Sequence, residues 1–199
     1  MEYLLATSPW YGVILWIILY ISDYSLTITS ARGFREIGHF KFEGSFELTP
    51  QFQKDVDALK PVSKRHVILL FLINFLIVLL WLLTRLLPFF PWTYLFLLGI
   101  FLFMEVGIHL RHLRNISLIH EIRKGGGVEG QIFYHKSFSY RISALEFYMF
   151  SILFLVIAVL TYSPFFLGGA FACLAVGSNH NKLSQKTKAN PSPAIESQP

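Results

Sequence analysis

The chain has 199 residues, of which 54% are hydrophobic and 15% charged, whereas an ordinary soluble domain carries about 25% charged residues. Such a composition excludes a water-soluble globular fold and assigns the apolar excess to lipid. The single cysteine, Cys173, excludes an intrachain disulfide framework and any multi-cysteine zinc or iron–sulfur centre. The formal charge of +5 calls for anionic partners, whose nature depends on where the basic residues lie.

A bilayer core about 30 Å thick needs roughly 20 apolar residues at 1.5 Å each. The first run of that kind, 10–30, is interrupted only by Asp23. Residues 1–9 hold no Lys or Arg and no small-residue cleavage site follows, so this run is expected to remain as a span and not to leave as a signal peptide. In the loop that follows, Thr49 suits a helix cap, Pro50 the first helical position, and Phe52, Val56 and Leu59 recur at helical spacing. A short amphipathic helix is expected there, packed as part of the loop or laid on the membrane surface.

The second and third runs, 67–87 and 92–113, flank Pro88-Phe89-Phe90-Pro91, which cannot continue a helix and predicts a tight turn. The third helical pattern extends to about Arg123 before Gly125-Gly126-Gly127 stops it. That triple glycine lacks the spacing of a phosphate loop. Residues 128–140 carry β-favouring side chains and read as extended. A fourth run covers 142–162 and a fifth, short one 164–178, opened by Pro164; a re-entrant helix is the alternative for the fifth. Residues 182–199, rich in Lys, Ser, Pro and Gln, read as a disordered tail.

These runs predict an all-α integral membrane helical bundle of about five transmembrane helices, a single polytopic domain over residues 1–181. With five crossings, all of the 17 basic residues except Arg85 fall on one side. Lys and Arg are retained in cytoplasmic loops, so the N-terminus is expected outside and the tail in the cytoplasm, in the cell (inner) membrane. Arg111, Arg114 and Arg141, close to span ends, are expected to meet anionic lipid headgroups; no nucleic acid is expected. Gly169, Cys173 and Gly177 repeat every four residues and permit close helix contact, within the chain by default or between protomers of a homo-oligomer.

Ionisable groups cost about 2.5–3.5 kcal/mol each at mid-bilayer on insertion scales, so they mark function or deliberate structure. Counted from the cytoplasmic ends of their spans, Asp23, Asn74 and Glu105 each lie about 12 Å deep. Glu105, His109 and His112 stack on one face of the third helix, and Glu146 lies level with His109. Three readings fit this cluster. Asp23, Asn74, Glu105, His109 and Glu146 handle a proton, cation or small solute. Alternatively, Glu105, His109 and His112 hold a divalent metal such as zinc or iron in a membrane enzyme, although the spacing matches no established metalloprotease motif. In the third, the polar groups only hold the helices in register, as in a structural or accessory subunit.

Overall fold

The computed structural model describes residues 2–87, 90–125 and 127–189. In chain order it comprises α1 (Glu2–Thr7), α2 (Pro9–Ile37), β1 (Phe40–Phe42), α3 (Pro50–Asp57), α4 (Lys64–Leu86), α5 (Phe90–Arg123), β2 (Ile132–Tyr134), α6 (Lys136–Thr161) and α7 (Pro164–Ala189). The boundaries follow local chemistry. Ser8 accepts a hydrogen bond from the Trp10 amide ahead of Pro9, and Gly38, at φ 69°, closes α2 by donating its N–H to the Phe34 carbonyl. Ser163 accepts from the Phe166 amide at 3.1 Å at the start of α7, after Tyr162 has ended α6 in the left-handed region.

Among the described residues, four helices are long and apolar enough to cross a membrane: α2, α4, α5 and α6. α4 has the most apolar window of these, yet only His66 and Ile77 are buried along it. Its Phe71, Leu72 and Phe75 face outward, an arrangement that is stable in lipid and costly in water.

α7 is a full partner in the bundle. Its 26 residues measure about 39 Å, and it runs antiparallel to α6: Gly169 and Cys173 pack beside Phe103 and Phe147, while Ser184 donates to the Ser137 carbonyl near the start of α6 at 2.7 Å. Its apolar run stops at Gly177, and Ser178-Asn179-His180-Asn181 then lower its mean hydropathy below that of the other four. Helix continues through residues 182–189, where the composition reads as a disordered tail. Residues 190–199 lie outside the described residues, as do Pro88 and Phe89, where a tight turn is expected from the sequence.

The small-residue stripe of Gly169, Cys173 and Gly177 packs within the chain. Cys173 is fully buried, and Gly177 lies against the Tyr148 ring. Where α5 crosses α7, Gly99 faces the Phe165 carbonyl and Gly168 faces the Phe96 carbonyl so closely that neither position has room for a Cβ.

At the basic end of the bundle two loops join. β1 and β2 pair in parallel, Phe40 with Ile132, Lys41 with Phe133 and Phe42 with Tyr134. The extended region is shorter than residues 128–140 predict, because α6 begins at Lys136, whose amide donates to the Glu43 carboxylate at 2.8 Å. α3 forms where expected, with Val56 1% exposed against Tyr24, Ile28 and Ala31 of α2. It therefore packs on the bundle. The segment from β1 to α3 is pinned by hydrogen bonds from Tyr140 to the Leu48 carbonyl (3.1 Å), Arg65 to the Gln51 carbonyl (2.7 Å) and Tyr24 to the Lys60 carbonyl (3.0 Å). At the opposite end, α1 is held by the Trp81 indole donating to the Ala6 carbonyl and by a Ser163–Glu2 hydrogen bond.

Candidate functional site

Beneath the pinned segment lies a cavity of about 940 Å³, bounded by α2, α5, α6 and α7, by the start of α4 and by the β1–α3 segment. Its walls carry Asp23, Glu47, His66, Glu105, Arg111, His112, Arg114, Glu146 and His180, set among eleven Phe, Tyr and Trp rings.

α2 and α5 run side by side in the same direction, and their facing polar residues pair rung by rung. Ser22 bonds His109 at 2.7 Å; His112 Nε2 lies 3.0 Å from both Asp23 Oδ1 and Thr27 Oγ1. A carbonyl only accepts, so the 2.7 Å contact to the Glu105 carbonyl places a His109 proton on Nδ1, while the Ser22 hydroxyl meets both His109 Nε2 and the Ile18 carbonyl at 2.7 Å. Next to His112 on α5, Arg111 Nε lies 3.3 Å from Glu146 Oε2, and Arg114 forms a second ion pair with the same carboxylate. Their side chains differ in cover: Arg111 is 23% exposed and Arg114 53%.

Glu105 stands apart from these pairs. It is 2% exposed, and its Oε2 has no hydrogen-bond partner. The charge that acts on it is Asp23, which lines the same cavity.

The structure gathers Asp23, Glu105, His112 and Glu146 around this cavity and leaves two other expected residues out of its wall. His109 is turned to Ser22. Asn74 bonds its own helix at the Leu70 carbonyl. The equal-depth estimate places Asn74 level with Asp23, but α4 enters the bundle deeper than a span count from residue 67 implies. His66 Nε2 donates to the Tyr20 carbonyl at 2.9 Å, so His66 is level with Tyr20 and Asn74 lies two turns further from the basic end. His66 takes the place in the wall, stacked on Tyr20 at 3.9 Å between ring centroids. Arg111 and Arg114 turn to Glu146 and the cavity; Arg141 is exposed at the basic end.

Two wall residues escape a span-based reading because they lie outside the apolar runs. Glu47 sits in the β1–α3 segment, its Oε1 accepting from the Thr49 amide at 2.6 Å. Burial pushes this carboxyl up from its usual range, while the Thr49 hydrogen bonds and Arg111 pull it back. His180, on the polar half of α7, bonds Ser143 at 2.9 Å. Its sequence signal is the break in apolar character at Asn179-His180-Asn181.

Glu105, His109 and His112 do not converge, since the two imidazoles are held by different α2 residues. Among the described residues no three His, Cys, Asp or Glu side chains form a group that could hold a metal ion. Cys173 is buried in apolar packing with Phe147, Phe154 and Ala170.

The fold and cavity define a class: a helical bundle with membrane-length apolar helices and a polar chamber at its basic end. No family model, curated protein or solved structure matches the chain.

Proposed function

We propose that the chain is a multi-pass protein of the cell membrane that takes up a small solute or cation in this chamber from the cytoplasmic side. In this reading α2, α4, α5, α6 and α7 all cross, with the N-terminus outside and the basic end in the cytoplasm, where Lys and Arg are retained. The observation that carries it is the cavity of about 940 Å³ with a buried, unpartnered Glu105 carboxylate oxygen in its wall. Trp16 Nε1, Arg111 Nε, His112 Nδ1 and Glu146 Oε2 in the same wall also lack hydrogen-bond partners, so the chamber gathers unsatisfied polar atoms around an open volume. An acceptor left over beside an open volume awaits a donor from outside. The chamber also falls in the size range of ligand pockets, about 300–1,000 Å³.

The test is uptake into proteoliposomes together with ligand-dependent thermal stability of the purified full chain. A solute that fills the chamber raises the melting temperature of the wild type by mass action. Asp23→Asn and Glu105→Gln are expected to reduce both that shift and any flux coupled to protons or cations. Flux and thermal shifts unaltered in both variants, with the fold intact, would sink the proposal.

A further inference from the structure

Resting on the reading that the chamber binds a solute, we infer its chemical class: an organic cation with an apolar body, its charge held by Glu105 and Asp23 among aromatic rings. The balance of charge is the first support. Four carboxylates (Asp23, Glu47, Glu105 and Glu146) face two guanidiniums, those of Arg111 and Arg114, and both guanidiniums are committed to Glu146. The end of the chamber around Asp23 and Glu105 sets two carboxyl groups against one imidazole, that of His112, which is paired with Asp23 and not with Glu105, and His66 has its Nε2–H spent on the Tyr20 carbonyl.

The second support is Glu105 itself, 2% exposed with Oε2 unpartnered in the chamber wall. A cationic donor supplies the missing hydrogen bond and the missing charge at once.

The walls then choose the kind of cation. A hard metal ion wants about six to eight oxygens at short range, and no group of three acidic, His or Cys side chains is available among the described residues. On α5, Met104 and Phe101 adjoin Glu105, and Trp16 packs on both Phe101 and Tyr20, all four in the cavity wall. Aromatic faces attract weakly hydrated organic cations through the ring quadrupole. The chain already uses this contact in the same chamber, where the Arg111 guanidinium lies 5.6 Å from the centroid of the Phe147 ring.

The experiment compares tetraphenylphosphonium with tetraphenylborate, ions of matched shape and opposite charge, on the full chain in lipid nanodiscs by equilibrium dialysis, with empty nanodiscs as background. Saturable binding of the phosphonium and none of the borate is expected. Glu105→Gln should weaken phosphonium binding by about tenfold or more, the loss of one charge-assisted contact. Trp16→Leu should weaken it and Trp16→Phe largely restore it, while Phe71→Ala on the outer face of α4 should leave it unchanged. Should Glu105→Gln fail to fold, Asp23→Asn and the Trp16 pair carry the test. Wild-type affinity in folded Glu105→Gln overturns the inference. Borate binding equal to or tighter than phosphonium overturns it too, yet leaves a solute chamber standing. Absence of saturable binding by either ion removes the solute reading as well.

Discussion

His112 Nε2 lies 3.0 Å from Asp23 Oδ1, and this contact between α5 and α2 is made where both side chains are largely covered, at 9% and 18% exposure. The same nitrogen meets Thr27, so one imidazole ties two successive turns of α2. Removing either partner leaves a buried polar group unmatched, at a cost of about 1–3 kcal/mol. His112→Ala and Asp23→Ala are each expected to lose that much stability in detergent unfolding titrations, and the double variant less than the sum. Strict additivity would show that the contact carries no coupling.

The Glu146 carboxylate serves two guanidiniums, and its loss should be felt more than the loss of either. Glu146→Gln removes the carboxylate that Arg111 and Arg114 share and leaves Arg111 only the more distant Glu47 and Asp23. Arg114 is half exposed, so solvent screens its share, and the expected destabilisation is about 1–3 kcal/mol. Arg114→Gln alone should cost well under half of that. Equal costs for the two variants would place the interaction energy elsewhere.

A different argument applies at the α5–α7 crossing, which depends on the absence of side chains. A Cβ at Gly99 or Gly168 meets backbone carbonyls of the facing helix, and backbone cannot rotate away. Gly99→Ala and Gly168→Ala are each expected to destabilise by about 1–3 kcal/mol or more. At Gly107 a Cβ meets the Phe150 ring at 3.3 Å, a side chain that can shift, so Gly107→Ala should cost far less. Size-exclusion profiles and melting curves of the three variants check the order.

How much of this was legible in the sequence depends on how local the determining interactions are. The helices of the bundle follow from apolar run length, α3 from Thr49-Pro50 and the Phe52–Val56 spacing, and the end of α5 from the glycines after Arg123. Depth across helices is a different matter. Asn74 and Asp23 share a level only if α2 and α4 end level at the basic side, yet α2 continues as helix to Ile37 while α4 begins beside Tyr20. That offset is set by the pinned β1–α3 segment, whose strand partner lies about ninety residues further along the chain. Arg111 and Arg114 likewise turn inward because α6 presents Glu146, and no pattern within α5 encodes that pairing. The helical continuation of α7 past Asn181 reflects packing such as the Ser184–Ser137 contact, against a polar composition.

The raised Glu47 carboxyl gives a pH dependence with a defined sign. Burial favours the protonated form in the folded chain, so Glu47 adds stability below the ordinary carboxylate range and loses it as pH rises through its elevated folded value. Glu47→Gln keeps an acceptor for the Thr49 amide and removes the ionisation. Melting temperatures measured in detergent are expected to fall for the wild type across that window more steeply than for Glu47→Gln. Parallel curves for the two proteins would show that Glu47 does not titrate against the fold. Asp55 should behave oppositely: hydrogen bonds from Lys60 and Ser63 hold it below its usual range, so its contribution is lost only as pH falls through that lowered value.

The five-crossing reading is decided by the two ends of the α6–α7 hairpin. Tyr162 is 92% exposed at the turn, whereas Ser184 of α7 lies beside Ser137 at the far end of α6, so positions 162 and 186 sit at opposite ends of the bundle. The only native cysteine, Cys173, is fully buried between helices and unreachable by bulky reagents, and Cys173→Ala gives a cysteine-free background at modest packing cost. Tyr162→Cys should react with a membrane-impermeant maleimide on intact cells, and Lys186→Cys only after permeabilisation. If both sites label on intact cells, or both require permeabilisation, α7 does not cross. Reversed accessibility would keep α7 as a crossing helix but place the basic end and its chamber outside, against the retention of Lys and Arg in the cytoplasm.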